Sequence, residues 1–451
     1  MTERDTVPGK KRKEEKKEKA KSIDAAKANV KKVRSAASKK RKKIGSPKAA
    51  AERLLNDYDP ILFMMVVIFV IFGITMVFSA GYYSTLNSIN PDPYYYLKKQ
   101  VIYAAPGFVF MYIFAQYDYH KFTRWADLLI VVSLGLLALL FTPLGITVNF
   151  ATRWISVFGI RITPSEISKI AIIIFTSVFL AKDPSRARDL KRGILPLLAI
   201  AGIHAAMIIK QPNLSTAIVI CAITLSIMFV AGIQMRYVAA LIGLLAAGIT
   251  YILLAMHHTH WYARLTNWVN PFADSQGEGY QVSQSLIALG NGGIKGLGLG
   301  HGVTKNLYLP EPQNDFILAV IGEELGMIGI VIMMVCYLIL IWRCFTIAAN
   351  AKDKLGIYMA SGIASMVGLH VILNIAVVTA SMPATGITLP FVSYGGTSIC
   401  IFLGAMGIMM NIAKQQKVSA DAPEWADFVT PAEKPARRSL FDGLDKKYEK
   451  R

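Results

Sequence analysis

Three acids in this chain stand where acids are costly. Asp315 lies at the edge of an apolar run that begins at Phe316, and Glu323 and Glu324 lie inside that run. Carboxylates at membrane depth are expensive and mark functional candidates by default. Asp315 follows Leu309-Pro310-Glu311-Pro312, whose two prolines impose an extended approach. A lone carboxylate held there has the chemistry of a general base. An Asp capping a helix that starts at Phe316 is the ordinary alternative, and both readings stand at this level.

Four further polar stretches interrupt apolar sequence. Asn149-Phe150-Ala151-Thr152-Arg153-Trp154-Ile155 offers a guanidinium for phosphate, or an interfacial anchor. In Thr163-Pro164-Ser165-Glu166-Ile167-Ser168-Lys169 the Pro-Ser-Glu order is a helix start, and Glu166 and Lys169 share a face. That pair neutralises itself inside a bundle, either to fix packing or to serve a site. Lys210-Gln211-Pro212-Asn213-Leu214-Ser215-Thr216 is a tight turn with an interfacial lysine. Met382 to Thr397 gathers Gly and Pro with Ser393-Tyr394-Gly395-Gly396, the pattern of a broken helix. Membranes tolerate such backbone only where protein or a cavity shelters it.

The elements that must position these groups are membrane helices. The 451 residues are 54% hydrophobic and 17% charged, with apolar runs near twenty residues that lack the alternation of a barrel. Ten candidate spans follow, near 61–80, 98–115, 127–146, 166–181, 194–209, 214–232, 237–256, 316–342, 356–380 and 389–412. The fold class is therefore all-α and polytopic: a ten-helix membrane domain over 57–415 with a large outer loop, 257–315, between spans seven and eight. Lys and Arg alternate between loops so that both termini face the cytoplasm. Residues 1–56 hold 20 Lys and Arg against 7 acids and read as a disordered polybasic tail. That tail suits anionic lipid; it has no interleaved aromatics for nucleic acid. Residues 416–451 read as a flexible cytoplasmic tail. The four cysteines read as free, small hydrophobes. The glycine-rich Gly290–Gly300 lacks the strand and βαβ context of a nucleotide loop, and reads as close approach of backbone to a neighbour or to a lipid-linked ligand.

These stretches together resemble the SEDS family of bacterial cell-wall glycosyltransferases, over about residues 57 to 415. The Gly-Glu-Glu at 322–324 is more similar to the division and sporulation branch than to the elongation branch. The resemblance implies a peptidoglycan glycosyltransferase that polymerises lipid II at the outer face of the bacterial cytoplasmic membrane. It implies Asp315 as the essential carboxylate. It carries Arg153, Trp154, Glu166, Lys169, Ser393, Tyr394, Gly395 and Gly396 over as substrate-binding, and Lys210 joins them as a further cation. It implies a single-span class B penicillin-binding protein, a transpeptidase, as partner. A divalent cation, Mg²⁺ or Mn²⁺, is implied by the family alone, with Asp315 its only candidate ligand. The chain departs from the family at Phe150, Thr163, Asn213 to Ser215, and Gln313-Asn314. Transfer from an α-diphosphate to a β link inverts the anomeric centre, which calls for one base and a stabilised leaving group. The rivals are a flippase for the lipid-linked precursor and a non-catalytic scaffold for the transpeptidase.

Overall fold

The computed structural model describes residues 59–86, 91–148, 151–157, 160–241, 243, 250, 268–273, 277, 279–306, 308–384 and 386–420. Both tails, 1–56 and most of 416–451, lie outside the described residues, as does most of the seventh candidate span. The other nine candidate spans coincide with helices. These are α1 (Pro60–Leu86), α2 (Tyr95–Gln116), α3 (Ala126–Leu139), α4 (Pro164–Lys182), α5 (Leu195–Ile209) and α6 (Leu214–Val230). After α7 (Tyr280–Gly292), a helix of the long loop, come α8 (Ile317–Ala349), α9 (Lys354–Val378) and α10 (Gly396–Ala420). Among the described residues six helices are long and apolar enough to cross a membrane, with α3 and α6 as shorter apolar ones. The chain is a multi-pass membrane protein built from helices. Pro164 opens α4 at its first position, where a missing N–H costs nothing, and Asn213 caps α6 by accepting from the Thr216 N–H at 3.2 Å.

Span three is shorter than its apolar run suggests. Gly145–Val148 leaves the helix and becomes β1, which pairs antiparallel with β2 (Ala151–Val157); β2 pairs antiparallel with β3 (Ile160–Ile162). Ile146 faces Trp154 and Ser156 faces Arg161 across the small sheet. The β-branched Ile146-Thr147-Val148 and Ile160-Arg161-Ile162 favour strand, but apolar length alone masked them.

Up-and-down connection sends the α3–α4 sheet, the α5–α6 turn, the approach to α8 and the α9–α10 link to one end of the bundle. The opposite end is tied by Tyr119, whose hydroxyl donates to Asp353 at 2.5 Å, by Gln415 donating to Asp118 at 2.9 Å, and by Gln416 donating to the Ile347 carbonyl at 2.6 Å. Helices in lipid associate by close packing rather than by hydrophobic exclusion. The α2–α10 contact shows this: a Cβ on Gly407 would stand 2.4 Å from the Met111 carbonyl oxygen.

Helix α8 is broken at Gly326, at φ 68°, ψ −171°. The break orphans two carbonyls, of Glu323 and Glu324, and two N–H groups, of Met327 and Ile328. The loop takes all four. Leu297 and Gly298 donate to the two carbonyls at 3.0 and 2.9 Å, and Met327 and Ile328 donate to the carbonyls of Gly293 and Ile294 at 2.9 and 3.2 Å. Such a splice needs bare backbone: a Cβ on Gly296 would stand 2.3 Å from the Glu324 carbonyl oxygen. The glycine-rich segment is thus a close approach to a neighbour, and the neighbour is α8.

Candidate active site

Asp315 is delivered by a self-tied turn. Asn314 N–H donates to the Glu311 carbonyl at 3.0 Å, and the Glu311 carboxylate accepts from the Asn314 and Gln313 amides at 2.7 and 3.2 Å. The N-cap of α8 is Phe316, with no side-chain cap bond, so Asp315 does not spend its carboxylate as a helix cap. Among the described residues no hydrogen bond reaches that carboxylate. It is partly open to solvent yet set among protein on most sides. Burial pushes its pKa up to about 6, while the Arg153 guanidinium pulls it down and the Glu311 charge adds to the rise.

Arg153 comes from β2, and its guanidinium donates to the carbonyl of Pro212 in the α5–α6 turn. Acid and guanidinium meet around Gly386, whose φ is +71°. A Cβ there would stand 3.3 Å from Asp315 Oδ2 and 3.6 Å from Arg153 Nη1. The two charges therefore face each other across a space that any other side chain would fill. Strand alternation sends Trp154 to the other face of the sheet from Arg153. Lys210 is exposed at the end of α5, with no contact to Asp315 among the described residues. What joins its turn to the site is the Pro212 carbonyl, which accepts from Arg153.

The segment from Gly386 to Gly395 forms the wall opposite. Ser393 Oγ accepts from the Leu389 N–H at 2.7 Å and closes the turn on itself. The Tyr394 N–H donates to the Gln313 carbonyl at 2.8 Å, and its ring lies edge-on to Tyr96 at 5.0 Å between centroids. Gly395 and Gly396 follow where space is short: a Cβ on Gly396 would stand 2.8 Å from the Tyr103 ring. Glu166 and Lys169 form a buried pair at 2.8 Å. Lys169 Nζ also lies 2.9 Å from His370 Nε2, and His370 Nδ1 lies 3.2 Å from the Thr388 carbonyl oxygen. A carbonyl only accepts, so Nδ1 carries the proton and Nε2 accepts from the ammonium. The pair thus reaches the wall of the site through His370.

Two residues escaped the sequence reading: His370 and Asn374, one turn apart on α9. Asn374 is fully buried, and its amide donates to the carbonyls of Asp315 at 2.8 Å and Ile387 at 2.6 Å. The available signal was a His and an Asn four residues apart in an apolar helix. Glu323 and Glu324, by contrast, are engaged by the loop and by α1. Glu323 accepts from Thr304 Oγ1 at 2.6 Å, and Glu324 accepts from Lys305 and, at 2.7 Å, from Ser79.

A divalent cation needs several hard oxygens. Among the described residues no three His, Cys, Asp or Glu side chains gather to hold one, and a guanidinium stands beside Asp315 where a further ligand would be wanted. These residues do not fit a protein-built divalent site. What they place together is one carboxylate and one guanidinium around Gly386.

The family model for FtsW, RodA and SpoVE, described as cell cycle protein, matches residues 59–418. A probable peptidoglycan glycosyltransferase FtsW of Geobacter sp. (strain M18) is 37% identical over 370 residues, which is 82% of this chain and 100% of that protein. The stage V sporulation protein E of Bacillus subtilis (strain 168) is 36% identical over 362 residues, 80% of this chain and 98% of that one. Among solved structures, a chain from a peptidoglycan synthase complex that coordinates polymerization and crosslinking superposes with a TM-score of 0.65 at 25% identity, covering 80% of this chain and 98% of that chain.

Proposed function

The chain belongs to the FtsW, RodA and SpoVE family of cell cycle proteins and is a peptidoglycan glycosyltransferase similar to its division and sporulation members; on that premise we propose that it polymerises lipid II with Asp315 as the general base. The observation that carries the reading is the Asp315 carboxylate, without a hydrogen bond among the described residues and facing Arg153 across Gly386. An acceptor hydroxyl placed against the carboxylate loses its proton as it attacks the anomeric carbon of the donor. The bond from that carbon to the diphosphate breaks with inversion, and the pair of electrons leaves with the diphosphate. Arg153 offsets the charge that develops on the leaving oxygen. A carboxylate with pKa about 6 is a better base near neutrality than an ordinary Asp, and it stays ionised above that pH.

The lipid-linked donor and acceptor reach this end of the bundle from the outer leaflet, in the orientation that leaves both termini in the cytoplasm. A chain of like fold works in a complex that couples polymerization to crosslinking, which supports a crosslinking partner here, a single-span class B penicillin-binding protein. The deciding experiment is Asp315→Asn in purified full chain supplied with lipid II and read by the length of glycan formed. We expect loss of polymer; wild-type polymer from that variant would remove Asp315 from the mechanism.

A further inference from the structure

We propose that Asn374 is a positioning residue that holds the Asp315 main chain at a fixed distance from the Gly386 wall. The inference rests on the reading of Asp315 as base, and goes beyond it to what holds the base in place.

The carbonyl of Asp315 lies just ahead of α8 and needs a donor. The first turn of α8 does not use it: Ala319 donates to the Phe316 carbonyl instead. Left alone it would be an orphan acceptor, which buried backbone rarely tolerates. Asn374 Nδ2 takes it, and the same nitrogen takes the carbonyl of Ile387, the residue after Gly386. One planar amide has two hydrogens in fixed directions. Spent on these two carbonyls, it sets the spacing between the chain that carries the acid and the chain that carries the glycine. That glycine is the residue whose absent Cβ leaves room between Asp315 Oδ2 and Arg153 Nη1. One turn earlier His370 holds Thr388 in the same way. The two rungs are on α9, a 25-residue helix of which Asn374 is a fully buried part, so the spacing is referred to a rigid element and not to a loop.

Asn374 touches no reacting atom in this account. Its removal should therefore cost turnover rather than binding, because a base displaced by about an ångström loses on the order of 100-fold in rate. The test uses the purified full chain with lipid II and four variants. Asn374→Ala removes the amide; Asn374→Leu removes it while filling the volume. Ser285→Ala removes a buried bond, donated by α7, to the carbonyl of Val378, one turn beyond Asn374 on α9 and not part of the Asp315–Ile387 pair of bonds. Asp315→Asn tests the base itself.

We expect Asn374→Leu to lower kcat on the order of 100-fold with KM unchanged within about twofold, and Ser285→Ala to keep wild-type kcat. The positioning role is overturned if Asn374→Leu turns over like wild type while Asp315→Asn is inactive. It is equally overturned if KM alone rises, if Ser285→Ala is as damaging, or if both Asn374 variants aggregate instead of losing kcat. An active Asp315→Asn would sink this inference together with the reading beneath it, and so locate the fault in the base assignment.

Discussion

At the scale of the residue, the proposed site is a carboxylate whose basicity is set by where it is kept. Burial raises the Asp315 pKa from 3.8 to about 6, against the pull of Arg153. Acting as the proposed base, Asp315 must be ionised, so polymerisation should fall as pH drops through about 6 and level off above it; a pH–rate profile with no limb between pH 5 and 7 would contradict this. The same shift has a stability sign. A folded pKa above the unfolded value means the native state binds the proton more tightly, so this stabilisation is present below the usual carboxylate pKa and is lost as pH rises through about 6. The ionised acid thus costs the fold at most about 3 kcal/mol at pH 8, and Asp315→Asn should melt higher than wild type there while making no polymer. Gly386 gives a third test. At φ +71°, with both charged groups within 4 Å of a Cβ, Gly386→Ala is strained by ~1–3 kcal/mol and fills the gap, so activity should vanish while the purified protein stays monodisperse. The acid was legible in the sequence because a lone carboxylate beside an apolar run is conspicuous. The two-carbonyl grip of Asn374 was not, because its partners are 59 and 13 residues away and a single Asn in an apolar helix announces only a satisfied polar group.

At the scale of the element, most of the architecture comes from apolar run length, and that is why nine of the ten expected spans have helices in place. What run length cannot convey is exchange between distant backbones. The splice between the 293–298 segment and α8 joins residues about thirty apart, and it is built from main-chain groups that carry no side-chain signature. Its glycines were visible in the sequence; which neighbour they approached was not. Because the splice satisfies four backbone groups at once, it should be intolerant of a single methyl. Gly326→Ala puts a Cβ at φ 68° and 2.3 Å from the Gly296 nitrogen. We expect several kcal/mol of destabilisation, read as a fall in melting temperature in detergent and in protease resistance of the long loop; an unchanged melt would mean the splice is dispensable. Glu166 and Lys169 were legible as a pair for the opposite reason, since three residues of one helix suffice to predict their contact. That they continue into His370 and the site wall needed α9 to be in place.

At the scale of the molecule, the two ends of the bundle are chemically unlike. One holds Asp315, Arg153 and the broken 386–395 segment. The other holds Lys121, Arg124, Lys182, Arg186, Arg188, Lys191, Arg192, Lys352 and Lys354. Positive charge is retained on the cytoplasmic side of a membrane, so the proposed orientation has the basic end facing inward and the acid facing out. The chain permits a direct check because its four cysteines, Cys221, Cys336, Cys344 and Cys400, lie within helices and are replaceable to give a silent background. In that background Tyr308→Cys, at an exposed position seven residues before Asp315, should react with a membrane-impermeant maleimide on intact cells. Lys352→Cys, exposed in the α8–α9 turn, should react only after the membrane is opened. The reverse pattern would set Asp315 against the cytosol. The geometry of acid, guanidinium and glycine would then be intact but would face the wrong compartment for a polymer laid down outside the cell, and the glycosyl-transfer account could not hold however well the residues fit it.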